Sequence, residues 1–236
     1  MVIGFKNQFL IVVICVMAFS VSSSATEAGL VLPLKLLQQL RAASPSPDRP
    51  VAESRILYYI AENTSDPRER EKIYEEGRRL TNQVREADPK NPGALLWWTV
   101  HEGRLAALHK GLAALKAVSG IEKALLDLKE MNPSFDYGAA DRALGQLYQE
   151  APPFISVGSR RKAKVHLKEA LRRFPDFPGN QVLYADFLLH QDEGYEARAY
   201  AQKVLGSPAL EEFPLEAPTW RVLALRVLKK TRGNRG

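Results

Sequence analysis

The stretch AKVHLKEALRRFP, from Ala163 to Pro175, decides the fold. It places a small residue at Ala163, a large one four positions later at Leu167, a small one three later at Ala170 and a proline five beyond that. Small residues on one helix face let a partner helix approach closely, and a proline ends one hairpin before the next begins. The stretch therefore predicts the second helix of a helical hairpin.

The same spacing recurs at three other places in the chain. The copies are Gly77, Thr81, Val84 and Pro89; Ile121, Leu125, Leu128 and Pro133; and Ala197, Ala201 and Val204, with Pro208 displaced by one. Such copies are typical of the tetratricopeptide repeat, a helix–turn–helix of about 34 residues. Apolar residues recur at three- and four-residue spacing nearly throughout, and no segment alternates as a strand would. We predict an all-α protein of tetratricopeptide-like hairpins, arranged as an α-solenoid or a compact helical bundle.

Residues 1–25 have the three parts of a secretory signal peptide. Lys6 supplies the positive region, residues 9–19 are apolar, and Ser23-Ser24-Ala25 are small residues before a cleavage site. The alternative is an uncleaved anchor, but a bilayer requires about 20 apolar residues. Cys15 is the only cysteine, and Val13-Ile14 before it argue against a lipoprotein. We predict cleavage and a periplasmic protein without disulfides.

The remaining chain divides into three parts. Residues 26–50 are predicted to form a short helix and a Pro/Ser-rich linker, residues 51–231 a tetratricopeptide-like domain, and residues 232–236 a basic tail. Asp66-Pro67 predicts a capped helix that runs to about Ala87. Residues 93–118 read as one long helix, interrupted only near Ser119-Gly120. Trp220 fits a final helix that covers the last hairpin.

One connection between paired helices is longer than the repeat requires. Leu144-Gly145 and Tyr148 form a first-helix signature, but Gly145 precedes Ala163 by 18 residues, where about 12 are usual. The predicted loop covers residues 151–158 and includes Phe154. It offers a specific contact for a partner; the alternative is a rigid connector with Phe154 in the core.

The sequence lacks complete motifs for a zinc-protease site, a phosphate-binding loop or a nucleic-acid-binding surface. His101-Glu102 begins a zinc-protease motif, but Leu105 stands where the second histidine belongs, and His109 is about 12 Å further along the helix. No phosphate-binding loop or interleaved basic and aromatic stripe is present, so we predict no metal, no cofactor, no nucleic acid and no catalytic activity. A hydrolase that uses His101, Glu102 or His109 is the less favoured alternative.

Aromatic residues are the better candidates for a binding site. Trp97 and Trp98 are adjacent and point about 100° apart on a helix, so one of them can face a cavity. The candidate partner- or ligand-binding residues are Trp97, Trp98, His101, Tyr137, Arg142, Tyr148, Phe154 and Arg161. The alternative is ordinary core packing of the aromatic rings, and a plain Ser159 helix cap beside solvated Arg161.

Tetratricopeptide domains that clamp a peptide carboxylate use Lys and Asn on successive first helices. The corresponding positions here are Leu96 and Val100, Arg142 and Gln146, and Val182 and Asp186. The carboxylate clamp is therefore absent. A ligand of the groove is expected to be apolar or helical.

Residues 138–205 resemble the periplasmic TatT-like T-components associated with TRAP transporters. The residues that carry the resemblance are Gly138-Ala139, Arg142, Leu144-Gly145, Leu147-Tyr148, Pro152-Pro153, Gly158-Ser159, Lys162-Ala163, His166-Leu167, Ala170, Pro175, Asn180 and Tyr184-Ala185. Residues 93–132 are similar to the preceding helical portion, less specifically. The resemblance implies helical hairpins, a periplasmic solute-binding receptor as partner, and oligomers with an apolar ligand passage. It implies no catalytic residue.

Two binding hypotheses follow. The first is a periplasmic binding or scaffold protein that presents Trp97, Trp98 and the Phe154 loop to a protein partner or an apolar small molecule. The second is an envelope-structural protein whose C-terminal cations contact membrane or wall polymers. These cations are Arg226, Lys229, Lys230, Arg232 and Arg235; the alternative is that they complement the dipole of a solvated helix end.

Overall fold

The computed structural model describes residues 26–109 and 112–232, which form ten α-helices, two short 3₁₀-helices and no strand. The helices are α1 (Thr26–Ala42), α2 (Arg49–Asn63), α3 (Pro67–Ala87), α4 (Pro92–His109), α5 (Leu112–Met131), α6 (Ala139–Glu150), α7 (Arg160–Arg173), α8 (Pro178–Leu189), α9 (Gly194–Leu205) and α10 (Ala217–Lys230). The 3₁₀-helices span Phe135–Tyr137 and Pro208–Glu212. The all-α prediction is confirmed. The proposed signal peptide and residues 233–236 of the basic tail lie outside the described residues.

Four helical hairpins follow one another along the chain. They are α2–α3, α4–α5, α6–α7 and α8–α9, with α1 packed on α2 and α10 packed on α8 and α9. The repeat positions that the sequence predicts lie in the core: Ala163, Leu167 and Ala170 are all buried. A β-carbon at Gly145 would lie 2.5 Å from Leu167 Cγ, so the small residue of α6 is what lets α7 approach. The repeat pattern thus sets the hairpin contacts.

Helix starts follow the local sequence closely. The Asp66 side chain accepts a hydrogen bond from the backbone N–H of Arg68, and α3 ends at Ala87 as predicted. Helix α2 begins at Arg49, so the predicted linker is shorter than expected and Pro50 lies in the first helical turn. Proline is tolerated there because the backbone N–H that it lacks would have no helical partner.

The prediction of one long helix over residues 93–118 is wrong. Helix α4 ends at His109 and α5 begins at Leu112, while Ser119-Gly120 lies inside α5. A glycine inside a helix costs about 1 kcal/mol, which packing can offset. Val118 and Ile121, on either side of the Ser119-Gly120 pair, are both buried, so the apolar face of α5 continues through it.

The enlarged connection between α6 and α7 is confirmed. It spans residues 151–159, and Phe154 is fully exposed with a backbone φ of +73°. The alternative in which Phe154 packs in the core is therefore wrong. The loop is held at its end, where the N–H of Ser159 donates to the carbonyl of Tyr148 at 2.8 Å. Among the described helices, none combines the length and apolar character needed to cross a membrane.

Candidate functional site

A cavity of about 540 Å³ lies between the first helices of the four hairpins and α10. Its lining comes from α2, α4, α6, α8 and α10 and from the connection that precedes each of them. Pockets for small ligands usually occupy about 300 to 1,000 Å³, so this cavity has the size of a small-molecule site. We call it the chamber.

The two ends of the repeat array meet at one side of the chamber. Arg55 of α2 and Glu216, which precedes α10, form an ion pair, with Arg55 Nε 3.1 Å from Glu216 Oε1. Next to it, Leu215 packs against the apolar cluster of α1 and α2 that includes Ile56. A solenoid that usually offers an open concave groove is thus bridged from its first hairpin to its last helix.

Two aromatic clusters contribute to the chamber wall. On the N-terminal side, the ring of Tyr58 lies 4.9 Å from that of Tyr59 and 5.7 Å from that of Trp97. On the C-terminal side, the ring of Phe177 lies 5.2 Å from those of Phe213 and Trp220. Burial raises the pKa of Tyr59 well above its ordinary value, and the neighbouring Glu216 carboxylate adds to this effect. The wall is therefore apolar and its tyrosines stay neutral.

Arg142 is a polar residue of the wall whose charge is already satisfied. Its guanidinium donates to Asp136 at 2.8 Å and to Asn180 Oδ1 at 3.1 Å, and lies 4.9 Å from the centre of the Phe177 ring. It also donates to the backbone carbonyls of Asp136 and Tyr137, two residues with positive φ. Arg142 thus holds the tight turn before α6 and orients Phe177.

The structure separates the two adjacent tryptophans. Trp97 lines the chamber, whereas Trp98 packs against the main core with the Arg85 guanidinium 4.1 Å from its ring centre. Tyr137 stands behind the wall, where its ring stacks on Phe177 at 4.4 Å. Of the predicted site residues, Trp97 and Arg142 are therefore brought together at the chamber, with Tyr137 supporting them.

His101 and Tyr148 lie elsewhere, in helix interfaces. His101 is completely buried, and its Nε2 lies 3.1 Å from the carbonyl oxygen of Ser54. Tyr148 is also buried, and its hydroxyl donates to Glu122 at 2.7 Å. Burial raises the pKa of Tyr148, and the hydrogen bond to Glu122 raises it further. Both residues stabilise packing between helices and do not face the chamber.

Phe154 and Arg161 lie at the α6–α7 connection. Arg161 is exposed on the first turn of α7, and the Ser159 hydroxyl caps that helix by accepting from the N–H of Lys162 at 3.3 Å. Neither Phe154 nor Arg161 lines the chamber.

The three residues of the hydrolase alternative do not converge. His101 is buried against α2, Glu102 pairs with Arg78 at 3.1 Å, and His109 Nε2 lies 3.2 Å from Glu71. Within residues 26–109 and 112–232, no three His, Cys, Asp or Glu residues are grouped so that they could hold a metal ion.

Several chamber residues were not among the sequence candidates. These are Arg55, Phe177, Phe213, Glu216 and Trp220. The groove positions derived from the clamp comparison are correct for the second and third hairpins, because Leu96, Val100, Arg142 and Gln146 all line the chamber. They are wrong for the fourth.

In the fourth hairpin the wall residue is Leu183, while Val182 is fully buried in the core. Asp186 is held instead by Arg226 of α10, whose guanidinium donates to it at 2.6 Å. The C-terminal cations are therefore not uniformly solvated: Lys229, Lys230 and Arg232 are exposed, whereas Arg226 is half-buried against α8.

No protein-family model and no curated protein matches the chain. Among solved structures, the chain is similar to the crystal structure of TTC0263, a thermophilic TPR protein in Thermus thermophilus. The TM-score is 0.57 and the sequence identity 18%, over 87% of this chain and 100% of that one. At this identity the similarity shows the fold, and the predicted tetratricopeptide-like architecture is confirmed.

Proposed function

We propose that this protein binds an apolar small molecule in the chamber. The observation that carries the proposal is a cavity of about 540 Å³ lined by two aromatic clusters and bridged by the Arg55–Glu216 pair. Apolar lining with a few placed polar groups is the usual composition of a small-molecule site. The cations of the wall pair with neighbouring carboxylates, so the apolar surface dominates what a ligand would contact.

The size of the chamber favours a small molecule over a peptide helix. A sphere of this volume is about 10 Å across, whereas an α-helix with its side chains is already about 10 to 12 Å wide. The bridge between Arg55 and Glu216 also obstructs the open groove in which a helix would lie. Of the two ligand types expected from the sequence, the apolar small molecule is therefore preferred.

A fluorescent apolar probe, N-phenyl-1-naphthylamine, tests the proposal. Ala143 lines the chamber, and Ala143→Trp is expected to fill it and weaken probe binding at least tenfold, which corresponds to about 1.4 kcal/mol. Val165→Trp is the matched control, because Val165 is exposed on α7 and the same bulk there leaves the chamber open. Probe fluorescence is titrated for both variants after circular dichroism has shown that each is folded.

Two results would contradict the proposal. One is the failure of the wild-type protein to enhance probe fluorescence. The other is equal affinity of the Ala143→Trp and Val165→Trp variants, which would place the probe outside the chamber.

We further propose that the exposed Phe154–Ile155 pair contacts a protein partner. Phe154 is fully exposed and Ile155 is 67% exposed, side by side on a loop that is longer than the repeat needs. A bulky residue at positive φ is strained, and such strain is common at functional sites. With the expected export signal and the resemblance to T-components, the partner would be a periplasmic solute-binding receptor of a TRAP-type uptake system.

Phe154→Ser is expected to abolish co-purification of that receptor from periplasmic extract, because it removes the apolar contact. Tyr195→Ser is the matched control, since Tyr195 is 93% exposed at the start of α9, away from the loop. Loss of the receptor with both variants, or with neither, would argue against this surface. The envelope-structural alternative would instead be supported by a membrane association that replacing the exposed cations Lys229, Lys230 and Arg232 with glutamine abolishes.

A further inference from the structure

Gln146 is a polar residue of the chamber wall whose side chain is largely buried. It lies on α6, one turn beyond Arg142, and only 6% of its surface is exposed. It lines the chamber, and among the described residues its side-chain amide has no hydrogen-bond partner. By contrast, the buried Asn180 amide is satisfied within the protein, since it donates to the carbonyl of Ala170 at 3.0 Å.

The fully enclosed side-chain atoms without a partner among the described residues belong to other residues, so the Gln146 amide is accessible from the chamber, where a ligand can reach it. A ligand that displaced water from this amide without replacing its hydrogen bonds would lose about 1 to 3 kcal/mol. The Gln146 amide carries both a donor and an acceptor. It therefore matches a ligand group such as a carbonyl, an amide or a hydroxyl.

The charges of the chamber restrict the ligand further. Arg55 pairs with Glu216, and Arg142 pairs with Asp136, so each cation of the wall already has its anion, while the remaining carboxylate of the lining, Asp48, is exposed to water. A charged ligand would have to break one of these pairs or be buried without a counter-ion, which is costly. A neutral ligand avoids both costs.

We propose that the chamber selects neutral, mainly apolar molecules with one carbonyl, amide or hydroxyl head, and that Gln146 is the residue that recognises this head. The inference rests on the proposed binding function and specifies the ligand class. The aromatic clusters contact the apolar body, while the Gln146 amide forms hydrogen bonds with the head. Sites that hydrogen-bond a ligand group discriminate strongly against analogues without it, because the protein group is then left unpaired.

The test uses four ligands that share a naphthalene body and compete with N-phenyl-1-naphthylamine. They are 2-naphthamide, 2-methylnaphthalene, 2-naphthoate and 2-naphthylmethylammonium. The wild-type protein is expected to bind the neutral amide at least tenfold more tightly than the methyl compound, and more tightly than either ion. Gln146→Leu should remove the advantage of the amide and leave binding of the methyl compound unchanged or improved.

A second variant tests whether Gln146 faces the head group. Gln146→Glu should shift the preference from the amide to the ammonium compound, because the new carboxylate has no cation of its own in the wall. This variant introduces little change in size. A persistent preference for the amide in either variant would overturn the assignment of Gln146.

The outcomes separate the inference from the proposed function. If the probe fails to bind the wild-type protein, both fail. If the probe binds and Ala143→Trp blocks it, but the amide is no better than the methyl compound, only the inference fails. Tightest binding of the naphthoate would overturn the neutrality of the ligand while leaving the chamber as the binding site.

Discussion

Replacing Arg104 with methionine is expected to lower the free energy of unfolding by about 4 kcal/mol, because it removes a buried cation and leaves the partly buried Glu62 carboxylate unpaired. Arg104 is 6% exposed, and its guanidinium donates to Glu62 at 2.6 Å and to the Tyr58 hydroxyl at 3.1 Å. The Tyr74 hydroxyl donates to the same carboxylate. Chemical denaturation of the variant measures the loss.

Two further variants make this expectation specific. Arg78→Met removes a cation from the more exposed pair with Glu102, and such pairs contribute about 0 to 1 kcal/mol. Adding Glu62→Gln to Arg104→Met should recover part of the stability, because the unpaired, partly buried negative charge is then removed as well. If Arg104→Met and Arg78→Met lowered the free energy of unfolding by similar amounts, burial of the Arg104 ion pair would not explain its contribution to stability.

The second expected result is a loss of folding stability at acidic pH, caused by His101. Burial lowers the pKa of His101 from its ordinary 6.5 to about 4, and the nearby cations Arg104 and Arg78 lower it further. The neutral ring, with Nε2–H donating to the Ser54 carbonyl, leaves Nδ1 buried and without a partner among the described residues. Protonation in the folded protein would therefore bury an uncompensated charge.

The sign of the pH dependence follows from this pKa. Between pH 6.5 and about 4, the unfolded chain binds a proton at His101 that the folded protein does not. The stability that neutral His101 provides is fully present above pH 6.5 and is lost as the pH falls through this window, a change of about 3 kcal/mol. Unfolding free energies measured at intervals between pH 7 and 4 would show the loss.

The matched variant is His101→Gln, whose amide can also donate to the Ser54 carbonyl but does not titrate. Its stability should vary less steeply than that of the wild-type protein over the same pH range, even if it is lower at pH 7. Parallel pH profiles for the two proteins would contradict the role of His101.

Local sequence predicted the helices well wherever the physical cause was local. Asp66 and Pro67 specify a helix start within three residues of chain, and α3 begins and ends as expected. Ser119-Gly120 misled the prediction because a glycine weakens a helix by an amount that packing can offset. The spacing between Gly145 and Ala163 predicts the length of the α6–α7 loop. It does not determine whether Phe154 on that loop is exposed or packs in the core.

The candidate site was only partly predictable, because adjacent residues on a helix point in different directions. Trp97 and Trp98 were equal candidates, and only the packing of α4 against its neighbours showed that Trp97 faces the chamber and Trp98 the core. On α8 the groove position was misplaced by one residue, with Leu183 in the wall in place of Val182. A shift of one residue rotates a helical side chain by about 100°.

What the sequence by itself determined is the all-α hairpin architecture, because repeat spacing and helix caps act between residues a few positions apart. What only the tertiary structure decided is the chamber. Arg55 and Glu216 are 161 residues apart, and no periodicity relates them. Whether Gln146 has a partner likewise depends on every element that surrounds it. Contacts of this kind arise from how the hairpins stack, so they become visible only once the whole array is folded.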